Sequence, residues 1–256
     1  RIGAKLVADY GSFQVFDADE TLLRSVQKTD ALRFSDEDNL VLLNSAVLDT
    51  TRAELQQVRG KHLKLDSGEA SLHLVQFAGP VQPGWYSALE ATGVKIVNYI
   101  PNNAYLVFGE PGELARLSAW ASKADYVQWD GEYKSEYKVD PAIYANRRAN
   151  LKGGEENELY AVQLVADGNG NQPTRVTIDS LKTEPIRSQY GILNYLNIIV
   201  KLPTAALDHQ FQRVGQLELA LGHLLLLVDD RVERGVERLA VGDEVDADHG
   251  QAADRV

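Results

Sequence analysis

The sequence predicts an α+β chain whose body is two β-α-β-β-α-β units in tandem. Three observations predict it: short alternating apolar runs bounded by Gly, Pro and Asn turns, proline-opened helical stretches between them, and recurrence of one element order along the chain. Residues 71–140 show the pattern most clearly. Leu72-His-Leu-Val-Gln-Phe77 alternates as a strand and ends at Gly79-Pro80. Pro83 opens a helix with Trp85, Ala88 and Leu89 on one face, and Gly93 stands at its C-cap. Val94-Lys-Ile-Val-Asn-Tyr99 and Ala104-Tyr-Leu-Val-Phe108 flank the turn Pro101-Asn-Asn103 as two further strands. Gly109-Glu-Pro111 starts a second helix, with Leu114, Leu117 and Trp120 or Ala121 at helical spacing, and Tyr126-Val-Gln-Trp129 is the fourth strand. That order is the split βαβ, or ferredoxin-like, unit.

Residues 157–211 read as a second ferredoxin-like unit. Leu159 to Val165 repeats the first strand, down to its Val-Gln-apolar ending (Val162-Gln163-Leu164 beside Val75-Gln76-Phe77). Pro173 leads a helix carrying Val176, Ile178 and Leu181; Ile186 to Tyr190 and Asn194 to Val200 form a hairpin around Gly191; Pro203 opens another helix. The shared order suggests duplication. The last strand of this unit is in doubt, and Leu224 to Val228 is the candidate substitute.

Ahead of these units, residues 1–52 carry apolar runs at Lys5–Ala8, Phe13–Phe16 and Leu40–Leu43. Tyr10-Gly-Ser12 lies at a hairpin distance, and Asp17 and Asp19 signal a short helix through Leu22, Leu23 and Val26. Residues 49–70 are polar and weakly patterned and read as a linker, as do Tyr133 to Glu158. Residues 212–256 use only nine residue types. Two readings of that tail stand side by side: a helix with Val232, Val236 and Leu239 on one face, or a frame-shifted or wrong-strand translation of a GC-rich gene.

The 256 residues include 26 basic and 37 acidic side chains, for a net charge of −11. No basic stripe accompanies that balance, which disfavours nucleic acid as a partner. Of that charge, the tail from residue 209 holds 10 acidic and 5 basic residues, so the two units themselves are only mildly acidic. With no cysteine, disulfides, thiolate zinc sites and cysteine nucleophiles are excluded. With no methionine, Arg1 is not expected to be the natural start, and the chain reads as a processed form or fragment whose signal peptide would lie outside it. The longest apolar run, Leu224 to Val228, is far short of a membrane span, so no membrane association is expected.

No constellation for catalysis, cofactor or metal emerges. Asp66-Ser67-Gly68 matches the Asp-Ser/Thr-Gly string that carries the acid of subtilisin-like peptidases, but His249-Gly250 lacks the companion threonine and no Gly-Thr-Ser follows, so a turn is the better reading. Asp167-Gly-Asn-Gly-Asn171 starts like a calcium loop, yet Gln172 and Ile178 replace the required glycine and closing glutamate. Glu244, Asp246 and Asp248 read as solvated charge. His62, His73, His209, His223 and His249 make no i, i+4 pair, and no phosphate-binding glycine loop occurs. Tyr105 and Tyr126 fit the packing of the sheet. Trp129, Tyr133 and Tyr137, where the last strand leaves the first unit, are the candidates for a protein interface.

The string Leu72-His-Leu-Val-Gln-Phe-Ala-Gly-Pro80 followed by Gly93 to Val107, the segment Tyr126-Val-Gln-Trp-Asp130, Leu193 to Pro203, and Asp9-Tyr-Gly-Ser-Phe13 with Leu43-Asn44 together resemble the N-terminal region of large bacterial subtilisin-family serine peptidases. The resemblance covers about residues 4 to 208. It implies propeptide-like units with a ferredoxin-like fold that assist folding of a catalytic domain and inhibit it by docking a sheet on its helices. It further implies a secreted or extracytoplasmic bacterial setting and a subtilisin-like catalytic domain as partner, in cis or in trans, with no catalytic residue, cofactor or metal in this chain. The departure from the family pattern comes at His209 to Gln212, where a Val/Ile-rich strand and then the protease domain would follow. The rival expectation is a stand-alone protein-interaction or small-ligand-binding module built on the same repeat.

Overall fold

A computed structural model of the chain describes residues 4–18, 20–25, 32–60, 70–138, 140–141, 157–166, 172–203 and 224–227. These residues form a mixed α+β architecture of small antiparallel sheets and a few short helices. The central sheet is built from β5 (Ser71–Phe77), β6 (Lys95–Ile100), β7 (Ala104–Gly109) and β8 (Val127–Glu132), in the spatial order β6-β7-β5-β8. Helix α3 (Pro83–Glu90) connects β5 to β6, and α4 (Pro111–Ala121) connects β7 to β8.

Local chemistry explains the boundaries. Pro83 and Pro111 occupy the first helical turns, where a missing N–H is harmless. Glu110 and Glu113 form a reciprocal capping box, Glu113 Oε2 accepting from the Glu110 N–H at 2.9 Å. Gly93 takes φ +91°, and a Cβ there would lie 2.7 Å from Arg116 Nη2. Arg116 needs that space because its Nε donates to the Thr92 carbonyl, tying α4 to the end of α3. Asn102 and Asn103 both adopt positive φ (67° and 64°), the geometry of a tight hairpin turn that asparagine tolerates.

Strand β5 is buried along its whole length because both faces of the sheet are covered. On one face, Val75, Phe77, Val107 and Val127 pack under Trp85 and Leu89 of α3 and Leu114, Leu117 and Ala121 of α4. Trp85 stacks on Tyr126 at 4.8 Å. The N-terminal hairpin of β1 (Ala4–Asp9) and β2 (Gln14–Ala18) adds Ala8 to this layer. It is held by Lys5–Asp125 at 2.7 Å, by Gln82 Nε2 donating to the Asp9 carbonyl, and by the Tyr10 hydroxyl donating to the Pro80 carbonyl. Helix α1 (Glu20–Ser25) follows, as the acidic start signals predict.

The opposite face is covered by residues 36–58: a 3-10 turn at Asp36–Asn39, β3 (Leu40–Leu42) paired with β4 (Val47–Asp49), and α2 (Ala53–Val58). The polar stretch from residue 49, read from sequence as a linker, is therefore built into the domain as far as residue 60. Val41 and Leu48 pack on Leu72, Leu74, Leu106 and Phe108, with Leu55 against the same cluster. The stretch reads as solvent-loving because its polar atoms are consumed internally, Thr50 being wholly buried.

The second sheet comprises β9 (Asn157–Val165), β10 (Ser188–Ile192), β11 (Tyr195–Pro203) and β12 (Leu224–Leu227), in the order β10-β11-β9-β12, with α5 (Gln172–Leu181) between β9 and β10. Leu224–Leu227 thus supplies the strand beside β9, in the place β8 takes beside β5. Tyr160, Val162, Leu164, Ile198, Val200 and Leu202 pack with Ile178 of α5. One local expectation is corrected: the hairpin turns at Leu193-Asn194, and Gly191 sits within β10 opposite Leu196. Pro203 is the last residue of β11, and the helix expected after it lies outside the described residues. Val176 of α5 faces outward, 58% exposed. The Asp66-Ser67-Gly68 and Asp167–Asn171 segments, and the tail apart from Leu224–Leu227, lie outside the described residues.

Candidate functional site

Among the described residues, two buried polar clusters and one exposed strand edge stand out as features that could carry function. In the first cluster, Gln76 sits on the lidded face of β5 and is wholly buried. Its Nε2 donates to the carbonyls of Asp38 (2.9 Å) and Asn102 (3.1 Å), and its Oε1 accepts from Thr50 Oγ1 at 2.7 Å. Gln128 Nε2 reaches Asn39 Oδ1 and Thr50 Oγ1, while Asn102 Nδ2 donates to the carbonyls of Glu37 and Leu40. Apart from the Gln76–Asn102 bond, which ties the β6–β7 turn to β5, these bonds join residues 37–50 to the sheet, so the network is the rivet of the lid. Its members are neutral amides and hydroxyls satisfied by one another, which is structural work.

The second cluster is charged. Asp130 Oδ2 lies 3.5 Å from His73 Nε2, and Oδ1 lies 3.6 Å from Arg59 Nε. Arg59 also donates through Nη2 to the carbonyls of Val127 (2.8 Å) and Ala121 (3.3 Å). A histidine beside an aspartate is half of a nucleophile-activating triad. Here the two side chains are only 1% and 2% exposed, so no substrate can reach them, and the cluster binds α2, β5, β8 and α4 together instead.

The three aromatic residues expected at a protein interface are placed inside the chain. Trp129, Tyr133 and Tyr137 are 2%, 6% and 8% exposed. Trp129 Nε1 donates to the Leu55 carbonyl at 3.0 Å, and its ring lies against Gly131, where a Cβ would come within 2.2 Å of it. The Tyr133 hydroxyl donates to the Tyr137 carbonyl at 2.9 Å, with the two rings edge to face at 5.8 Å. As exposed interface residues these three are corrected. The surface they cover belongs to the chain itself, namely α2 and, through Val165 and Tyr195 in the same cluster, the second sheet. Burial pushes the Tyr133 phenol far above the ordinary tyrosine range, with Tyr195 adding to the effect, and pushes Tyr195 up to about 12. Tyr105 and Tyr126 pack partly buried against the helix-side layer, as the sequence suggests.

The contact between the two sheets is anchored at an edge. β6 carries a register shift between Ile96 and Asn98. Asn194 Nδ2, from the β10–β11 turn, donates there to the carbonyls of Ile96 (2.9 Å) and Val97 (3.3 Å), and Lys95 Nζ donates to the Ala166 carbonyl. The corresponding edge of the second sheet is different. β10 keeps an unbroken register with β11 and pairs with no other described strand. Tyr190 and Ile192 are 43% and 53% exposed, and Leu193 beyond them is 88% exposed. This edge is not legible in the sequence because Gly191 is a turn residue by type. The signal that could have found it is Asn194, a residue suited to turns, two positions beyond Ile192.

Among the described residues no group of three or more His, Asp or Glu side chains could hold a metal ion, and no helix is long and apolar enough to cross a membrane. Residues 39–134 match the model of a family described as a domain of unknown function (DUF8729). The match spans under half of the chain and takes in both the β3–β4–α2 lid and the central sheet. No curated protein and no solved structure matches the chain.

Proposed function

We propose that both four-stranded units are ferredoxin-like repeats of the propeptide type. In this reading the chain is the non-catalytic pro-region of a secreted, extracytoplasmic bacterial subtilisin-like serine peptidase, acting as intramolecular chaperone and inhibitor. The observation that supports it is the strand order: β6-β7-β5-β8 and β10-β11-β9-β12 set the first strand of each unit between the third and the fourth, with a helix between its first two strands. A split βαβ unit has that arrangement. The partner is a subtilisin-like catalytic domain, in cis or in trans. Because residues 36–58 cover the face of the first sheet opposite α3 and α4, docking falls to the second unit. The test is to mix the purified chain with its cognate catalytic domain and to measure inhibition and refolding yield. Saturable inhibition and faster recovery of activity are expected; no binding at micromolar concentration overturns the reading.

A second reading, a stand-alone interaction module, is favoured by one observation. The first unit is sealed on both faces by its own chain, as a self-sufficient domain would be. A ligand-dependent rise in melting temperature without any peptidase present would support it.

A further inference from the structure

We infer that β10 is a strand-addition site, and that its occupant is an extended polypeptide segment with apolar side chains on one side and carboxylates on the other. An edge strand presents a row of main-chain donors and acceptors, and proteins commonly blunt such edges with bulges, charges or covering groups. This chain does so at one of two equivalent edges. β6 is bulged, carries Lys95, and has two carbonyls capped by Asn194. β10, with the sequence Ser-Gln-Tyr-Gly-Ile, has no bulge, charge or proline, and its last four residues are exposed.

The two sides of the edge dictate the occupant. Tyr190 pairs with Asn197 and Ile192 with Tyr195, so both stand on the side away from α5 and offer apolar surface. Gln189 pairs with Ile198, whose side chain packs with α5, and so stands on the helix side. There Gln189 Oε1 accepts from Arg175 Nη2 of α5 at 3.2 Å, which fixes a guanidinium beside the edge. An incoming strand alternates its side chains in the same way. Its residues facing Tyr190 and Ile192 must be apolar, and those facing Arg175 are best acidic. None of these features depends on whether the partner is a peptidase.

The test uses the full chain and a labelled synthetic peptide of alternating valine and glutamate, about eight residues long. Fluorescence anisotropy should show saturable binding, and hydrogen exchange should slow at the amides of residues 188–192. The paired change Tyr190→Ser and Ile192→Asn, at exposed positions, should weaken binding about tenfold or more. Arg175→Glu should weaken it while improving binding of a valine–lysine peptide. A valine–glutamate peptide N-methylated at alternate residues should fail to bind. Undiminished binding of the N-methylated peptide, or of the valine–glutamate peptide to the double variant, overturns the inference. So does concentration-dependent protection of residues 188–192 without peptide, which assigns the edge to a second copy of the chain.

Discussion

Gly60 donates its backbone N–H to the carbonyl of Asp130 at 3.1 Å, while the Asp130 carboxylate reaches Arg59, the residue before Gly60. The chain thus rounds the β8 edge at a glycine in the left-handed region (φ +66°) and leaves a guanidinium beside a buried carboxylate. Removing Asp130 leaves Arg59, whose side chain is 31% exposed and keeps access to water, beside a buried space. Asp130→Ala should therefore lower stability by about 1–3 kcal/mol, read as a fall in the urea midpoint. Asp130→Asn should lower it by less, since the amide keeps the volume of the side chain and an oxygen dipole beside Arg59.

Two glycines should respond oppositely to alanine. At Gly131 a methyl group would collide with the Trp129 ring, which must leave its seat under Leu55. A loss of about 3 kcal/mol is expected from that overpacking. Gly84, in the first turn of α3, has nothing within 4 Å of a Cβ. Gly84→Ala should stabilise by about 0.5–1 kcal/mol through the unfolded chain. Thermal unfolding of the two variants side by side checks both signs.

Gln76→Leu keeps the bulk of the side chain but strips the lid of its rivet. The Asp38 and Asn102 carbonyls and Thr50 Oγ1 would each lose a bond in a buried place. A cost of about 2–4 kcal/mol is expected from orphaned polar groups. Exchange of amides in residues 36–50 should quicken more than exchange in α4, because α4 packs on the other face. Uniform quickening across both regions would show that the lid and the sheet open together.

What was legible in the sequence was whatever solvent and chain geometry fix locally. Pro83, Pro111, Gly93 and the Asn102-Asn103 turn mark their elements because each residue type suits the backbone it adopts. What was illegible depends on partners distant in sequence. Thr50 and Gln76 are polar yet fully buried, since each satisfies the other. Residue type alone therefore assigns the Thr50 region to a solvated linker. Trp129, Tyr133 and Tyr137 are aromatic at a domain exit, a pattern that fits an interface with another protein as well as an internal one. Only the positions of Leu55, Val165 and Tyr195 decide between them. The candidate site failed in the opposite sense. Gly191 is a turn residue by type, but pairing with Leu196 keeps it in the strand and moves the turn to Leu193, a residue whose type argues against positive φ.

The seam between the two sheets should make the protein sensitive to alkali in a defined range. Tyr195 is pushed up to about 12 and Tyr133 is shifted in the same direction, both chiefly by burial, from an ordinary value of 10.0. A phenol that ionises more readily in the unfolded chain than in the folded one favours unfolding once the pH passes the unfolded value. Below pH 10 both forms are neutral in both states and no stability is lost. From pH 10 toward 12 the unfolded chain releases these protons while the folded chain retains them, so stability should fall steadily. Phenolate absorbance should accordingly show a group of tyrosines that titrates only together with the loss of near-ultraviolet circular dichroism. Tyr195→Phe removes one such proton and should flatten the alkaline decline while leaving the Asn194 contact in place. If that variant declines as steeply as the parent, the seam is not what alkali attacks.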